Sequence, residues 1–437
     1  MASNYPSQSA SAEPGAPLKA VTFLGPVDYS ATVYVYTDPE GVEHRYATPY
    51  FAEALTHFYP DLESVELLVT PTVRQHANIE ALRQRIGERL AVTEIPESQS
   101  EEGLWGIFDA LTGVVDEGDR VVFDITNSFR YIPFLTFLAA AYLRTARRIK
   151  VEAVLYGAFE ARDRQTHASP VFNLTPFVQL LDWLTATNEF IYTGDAKYLA
   201  RLLSDAGHAR RSRDLGIAGK QLRELSLAMM LCRPLEIMES ADTLDTALQR
   251  AQSDLAAYAR PFALLADRIS EQYAGRALAA PTADENVAES LRQQVALIHW
   301  YLENNRLMQA ATLAREWVIT AVGWKLGKGF ALDLKVRERN GGDGIRWGIS
   351  GLARIGRREG DSVFTAAQLS PIGRELYGWP ERERIVELWK AIEVVRNELD
   401  HAGMNRNPMP AETLARKANE DLWPALESVA ELWDLMP

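Results

Sequence analysis

Arg396, Asn397 and His401 stand at the end of the stretch RERIVELWKAIEVVRNELDH, residues 382–401. Within six positions they offer a fixed cation, an amide and a group that titrates near neutrality. Such a set can move a proton and hold charge growing on a phosphate. Ile385, Leu388, Trp389, Ile392 and Leu399 recur at three- and four-residue steps, so the stretch reads as an amphipathic helix with one apolar stripe. At about 100° per residue, Arg396 falls near the line of Trp389, Ile392 and Leu399, where a guanidinium is costly unless something pairs with it. His401 closes the helix just before Gly403 and the run from Asn405 to Pro410. An ordinary reading also fits: Arg396 pairs with Asp400 one turn on, and His401 favours the negative end of the helix dipole. The spacing Arg-x4-His occurs again at Arg162 and His167, after a strand and without apolar periodicity, where it reads as a polar loop. Spacing alone decides nothing.

Three further stretches have the composition of ligand loops. Gly25-Pro26-Val27-Asp28-Tyr29 follows the first strand, Thr70-Pro71-Thr72 follows VELLV, and Asp124-Ile125-Thr126-Asn127-Ser128-Phe129-Arg130 closes the strand RVVFD. Pro133 cannot sit deep in a helix, so regular helix begins near it and the 126–130 loop keeps free amides and hydroxyls. With Arg130 and the helix amino end, these groups suit an anionic, phosphate-bearing ligand. They equally suit a capped strand-to-helix turn with a surface arginine. No GxGxxG follows the first strand, and Gly323 to Gly329 lacks the spacing and the Ser or Thr of a P-loop. No HxxxH, HExxH or Cys/His cluster is present, so no metal site is expected.

The elements that must hold these loops alternate. Strands are predicted at Lys19–Gly25, Val65–Val69, Ala91–Ile95, Arg120–Ile125 and Val151–Tyr156, with a hairpin of Thr32–Thr37 and Glu43–Ala47 grafted after the first. Helices are predicted at Pro49–Phe58, Arg74–Leu90, Glu102–Val115 and Pro133–Arg147. This alternation specifies a parallel, Rossmann-like sheet with helices on both faces, whose ligands bind outside the carboxyl ends of the strands. From about Thr175 strand-like runs disappear and helical spacing continues to the end, apart from the Gly-rich basic stretch 339–360, which reads as a loop. The expected fold class is therefore α/β plus all-α. The expected divisions are a flexible tail at 1–17, a sheet domain at 18–175, a helical linker region at 176–300 and a helical domain at 301–437.

At 437 residues the chain is long enough for two or three domains. Its 47% hydrophobic and 24% charged residues are those of a soluble globular protein. One cysteine, Cys232, excludes an internal disulfide framework. The opening Ser-, Ala- and Pro-rich stretch does not read as a signal peptide, and no apolar run is long enough to cross a bilayer. A cytoplasmic protein without membrane contact is expected. A net charge of −13 argues against a protein that coats nucleic acid over its whole surface, yet residues 315–360 hold ten Lys or Arg against five Asp or Glu. A polyanion could touch there.

The strand-loop-helix DITNSFRYIPFL, Asp124 to Leu135, resembles the signature of the CARF sensor domain of CRISPR-associated proteins. The opening VTFLG, Ala47 to Phe51, Thr70-Pro71 and Leu155 to Glu160 resemble the same family, and Phe177 to Gly194, with Asp182-Trp183 and Tyr192-Thr193-Gly194-Asp195, is similar to its segment that leads from sensor to effector. Arg396-Asn397-x3-His401 is similar to the Arg-polar-x3-His motif of HEPN ribonucleases. The family places His-Gly where this chain has Asn127-Ser128, which puts cleavage of the activator in that loop in doubt. The resemblance implies a metal-independent single-stranded RNA endoribonuclease of type III CRISPR antiviral defence that leaves 2′,3′-cyclic phosphate ends. It implies no cofactor, an allosteric cyclic oligoadenylate activator, with cyclic tetra-adenylate the first expectation, and a homodimer. The implied catalytic residues are Arg396, Asn397 and His401. Those implied to bind the activator are Gly25, Pro26, Asp28, Tyr29, Thr70, Pro71, Thr126, Asn127, Ser128, Phe129, Arg130, Tyr156 and Gly157. The alternative is a non-catalytic nucleotide-sensing module whose helical half binds a protein or nucleic acid.

Overall fold

A computed structural model describes residues 15–97, 100–128, 131–332, 334–338, 344–360, 362–404 and 406–437. Residues 1–14 of the expected tail, Phe129, Arg130 and residues 339–343 lie outside them. The chain divides into a unit ending at Asp182 and one beginning at Trp183.

In the first unit the apolar runs become β1 (Leu18–Phe23), β2 (Thr32–Thr37), β3 (Glu43–Thr48), β4 (Leu62–Val69), β5 (Leu90–Glu94), β6 (Arg120–Asp124), β7 (Lys150–Gly157) and β8 (Ala168–Asn173). They form one eight-stranded sheet in the order β3-β2-β8-β7-β6-β1-β4-β5. The five strands from β7 to β5 run parallel. The connections reverse direction between β1 and β6, which makes that junction the switch point of a doubly wound sheet. Helices α1 (Phe51–Phe58), α2 (Pro71–Arg74), α3 (Ala77–Ile86), α4 (Glu101–Gly113) and α5 (Ile132–Ala146) connect the strands. Alternate residues of the buried strands feed two cores. Ala20, Leu67 and Val122 pack with α1 and α3, whereas Val21, Leu68 and Phe123 pack with α4 and α5.

The sheet is wider than the sequence predicts, because β8 joins the hairpin to it. Strand β8 pairs with β2 in parallel through residues 168–170 and with β7 in antiparallel through residues 171–173. Pro170 falls where the partner changes, and a proline in a six-residue run hides such a strand from periodicity.

The division between units falls within α6 (Thr175–Thr193). The second unit holds α7 (Lys197–Arg210), α8 (Arg213–Met230), α9 (Pro234–Tyr258), α10 (Arg260–Ala274), α11 (Val287–Glu303) and α12 (Leu307–Lys325). It continues with α13 (Leu334–Glu338), α14 (Ile345–Arg354), α15 (Pro371–Tyr377), α16 (Arg382–Asp400), α17 (Ala411–Lys417) and α18 (Trp423–Leu432). Its described strands are the two-residue β9 (Arg358–Glu359) and β10 (Ser362–Val363). The α/β-then-helical organisation is thus the one the alternation of patterns predicts.

One expectation is corrected. The Gly-rich stretch 339–360 is not a loop throughout, since α14 occupies its middle with Ile345, Ile349, Leu352 and Ala353 buried. A Cβ at Gly348 would lie 2.7 Å from Ile372 Cγ2, so glycine there permits close helix packing where a sequence reading sees a loop former.

Candidate functional site

The switch point carries a cavity of about 280 Å³. The loop after β1 gives it Leu24, Gly25, Pro26, Val27 and Tyr29, β4 ends into it at Thr70, and the loop after β6 gives Asn127 and Ser128. The cavity is mostly apolar with a few convergent polar groups, as small-molecule sites are. Ile132, the first residue of α5, also lines it, which turns the amino end of that helix toward the space.

Each loop is fixed by bonds that a strand pattern does not reveal. Gly25 N–H donates to the Tyr29 hydroxyl at 2.7 Å, folding the first loop on itself. Asn78 Nδ2 donates to the Val27 carbonyl at 2.8 Å while its Oδ1 accepts from the Tyr50 hydroxyl at 3.0 Å, tying that loop to α3. Beneath the cavity, Thr22 donates to Asp124 Oδ2 at 2.5 Å and Thr126 N–H donates to Asp124 Oδ1 at 2.7 Å. Thr126 Oγ1 accepts from Gly157 N–H at 2.8 Å. This polar ladder crosses from β1 to β6 to β7 through groups that are otherwise apolar-flanked. Asp124 is 0% exposed, and burial pushes its carboxyl up to about 6 against the pull of the Thr126 and Thr22 hydrogen bonds.

Of the residues the sequence nominates, Gly25, Pro26, Tyr29, Thr70, Asn127 and Ser128 line the cavity. Thr126 and Gly157 belong to the ladder below it. A Cβ at Gly157 would sit 2.8 Å from Phe51 Cδ2 and 2.9 Å from Tyr34 Cε1, so this glycine serves packing. Asp28 and Pro71 are exposed, and the Tyr156 hydroxyl donates to the Glu160 carboxylate. Phe129 and Arg130 lie outside the described residues. The nominated set omits Asp124, Thr22 and Asn78. An Asp closing an apolar strand, with a Thr at the matching height of β1, is the signal that could have found the first two.

The second constellation lies at the end of α16. Ile385, Leu388, Trp389, Ile392 and Val395 are buried against the helical core, and Leu399 is half-buried. The stripe is buried as far as Val395, and in the last turn Arg396 and Leu399 are both half-buried. The Arg396 side chain is 34% exposed and its Nη2 meets Asp400 Oδ2 at 2.8 Å. Asn397 and His401 are exposed. His401 caps the helix, and Ala402 and Gly403 then turn with φ of 49° and 70°, a left-handed exit that suits glycine at the second position. Glu398 Oε2 accepts from Met409 N–H at 3.1 Å, holding the following segment back on the helix. The other Arg-x4-His lies in a non-helical loop, where the His167 carbonyl accepts from Val33 N–H at 3.0 Å. The two copies of one spacing therefore differ in everything around them.

A doubly wound sheet with a cavity at its switch point and, further along the same chain, a mostly helical unit in which α16 ends in a half-buried Arg and an exposed Asn and His define an α/β unit joined to a helical unit. Residues 179–276 match the family described as CRISPR-associated protein MJ1674, second domain. The chain is 28% identical over 150 residues to CRISPR-associated protein MJ1674 of Methanocaldococcus jannaschii, a match over 33% of this chain and 23% of that protein's length. Among solved structures, Enterococcus italicus Csm6 bound to cyclic hexa-2′-fluoro-hexa-dAMP is similar with a TM-score of 0.46 and 9% identity, over 97% of this chain and 96% of that one. Among the described residues, no helix is long and apolar enough to cross a membrane, and no group of three or more His, Cys, Asp or Glu is placed to hold a metal ion.

Proposed function

We propose that the chain is a cyclic oligoadenylate-activated endoribonuclease of type III CRISPR antiviral defence that cuts single-stranded RNA without a metal ion. The observation that carries this is the end of α16, where an arginine, an amide and a histidine reach solvent from a helix whose other side is locked in the core. In the reaction the 2′-hydroxyl attacks the adjacent phosphorus, the 2′-O–P bond forms, the P–O5′ bond breaks, and a proton passes from the 2′ to the 5′ oxygen. His401 moves that proton, Arg396 stabilises the charge on the phosphoryl oxygens, and Asn397 hydrogen-bonds the phosphate. One chain gives a sparse set, and a second copy related by a two-fold axis doubles it. The cavity supports the sensor half of the reading. At about 280 Å³ it lies just under the usual range for a drug-sized ligand, and on this reading it takes only part of a ring whose remainder a homodimer would hold.

The test is cleavage of a labelled single-stranded RNA in excess chelator, with and without cyclic tetra- and hexa-adenylate. Cleavage that needs a ring and leaves 2′,3′-cyclic phosphate ends is the expected result. A second reading, a nucleotide sensor whose helical half only binds a partner, is favoured by the engagement of Arg396 with Asp400. Ring binding without any cleavage would establish it.

A further inference from the structure

We propose that Asp124 is a positioning residue for the cavity, one that touches no ligand but sets the loop lining it, and that it must be neutral for a polyanion to be held there. The inference rests on the nucleotide reading of the cavity given above. Its geometry is the ladder Thr22–Asp124–Thr126–Gly157, which joins β1, β6 and β7 one residue below the cavity lining. The carboxyl has both oxygens committed, one to each side of the switch point, and Thr126 leads directly into Asn127 and Ser128.

An ionised Asp124 places a buried negative charge beneath a site for phosphodiesters. Among the described residues no lysine or arginine lines the cavity to offset it. The titratable groups that feel its charge are Tyr29, from the loop after β1, and Tyr34, from β2. Burial pushes both phenols up, so neither changes charge between pH 5 and 8. Thr22, Thr126 and Gly157 contribute only neutral dipoles. Burial already brings the carboxyl near neutrality's edge, so an incoming anion can tip it and binding takes up a proton.

The experiment is isothermal titration of the full chain with cyclic tetra- and hexa-adenylate from pH 5.5 to 7.5, in pairs of buffers that differ in ionisation enthalpy. Phosphodiesters and adenine rings keep their protonation over this range, so any proton taken up belongs to the protein. The parent should bind about fivefold or more weakly at pH 7.5 than at pH 5.5, with net proton uptake. Asp124→Asn should flatten the profile. Thr22→Val removes a hydrogen bond that favours the ionised form, so it should move the midpoint to higher pH, and it carries the test if Asp124→Asn does not fold. A parent that binds with a flat profile and no uptake overturns the inference while leaving the nucleotide reading intact. An Asp124→Asn profile that follows the parent's slope does the same. No binding of either ring at any pH overturns the nucleotide reading, and this inference with it.

Discussion

The switch-point cavity and the end of α16 hold their polar groups in opposite ways. Around the cavity each group is over-determined: Asp124 is held by two donors, Asn78 by two partners, and Gly25 by its own loop. At the end of α16 the cation has one ion pair and the imidazole stands in solvent. The lesson is that the first region is shaped within one chain, whereas the second is only presented. Rigid presentation is supplied by the buried side of the helix, and on the proposed reading a second copy of the chain completes it.

The largest effect expected from breaking this contrast is on chemistry. His401→Ala should lower activator-dependent RNA cleavage about 100-fold or more while the melting temperature stays within a degree or two, since an exposed side chain contributes little to folding. Unchanged cleavage by this variant would sink the catalytic assignment. Trp389→Ala, on the hidden side of the same helix, should cost about 3–5 kcal/mol of stability by denaturant titration, because the ring is 4% exposed. Next comes Asp124→Asn. The folded carboxyl is pushed up to about 6 from an ordinary value of 3.8, so the parent gives up stability as pH rises from near 4 to near 6 and stays lower above that. The variant should lack that decline and gain at most roughly 3 kcal/mol relative to the parent at pH 7 to 8, read from chemical unfolding at a series of pH values. The smallest effect is Asp400→Ala, which removes a solvent-screened pair worth about 0.5 kcal/mol or less. Cleavage should be kept or raised by it, because Arg396 is released. A large loss of cleavage would mean that Asp400 belongs to the reacting set.

Much of the sheet is legible in the residues. KAVTFLG and VELLV announce central strands whose carboxyl ends the Gly-Pro and Thr-Pro steps mark, and RVVFD announces a third, which is why six nominated loop residues meet at one cavity. The pairing within the ladder was not legible, since Thr22 and Asp124 lie 102 positions apart and only strand pairing makes them neighbours, although an Asp closing an apolar strand could have singled out Asp124. The helical half shows the same limit. Periodicity finds α16, but it takes packing to show that the stripe is buried as far as Val395 and only half-buried at Arg396 and Leu399 in the last turn. Glycines mislead where packing is tightest, as at Gly348, since a small residue reads as a turn former whether it frees the backbone or admits a neighbour.

The split pairing of β8 has a consequence for biogenesis. Strand β2 is made early, but its parallel neighbour emerges from the ribosome more than a hundred residues later. Until then the β2–β3 ribbon presents an unpaired edge, the kind that invites pairing with another nascent chain. Its closure is among the most non-local steps in the sheet, and it is where slow folding in the cell would be felt.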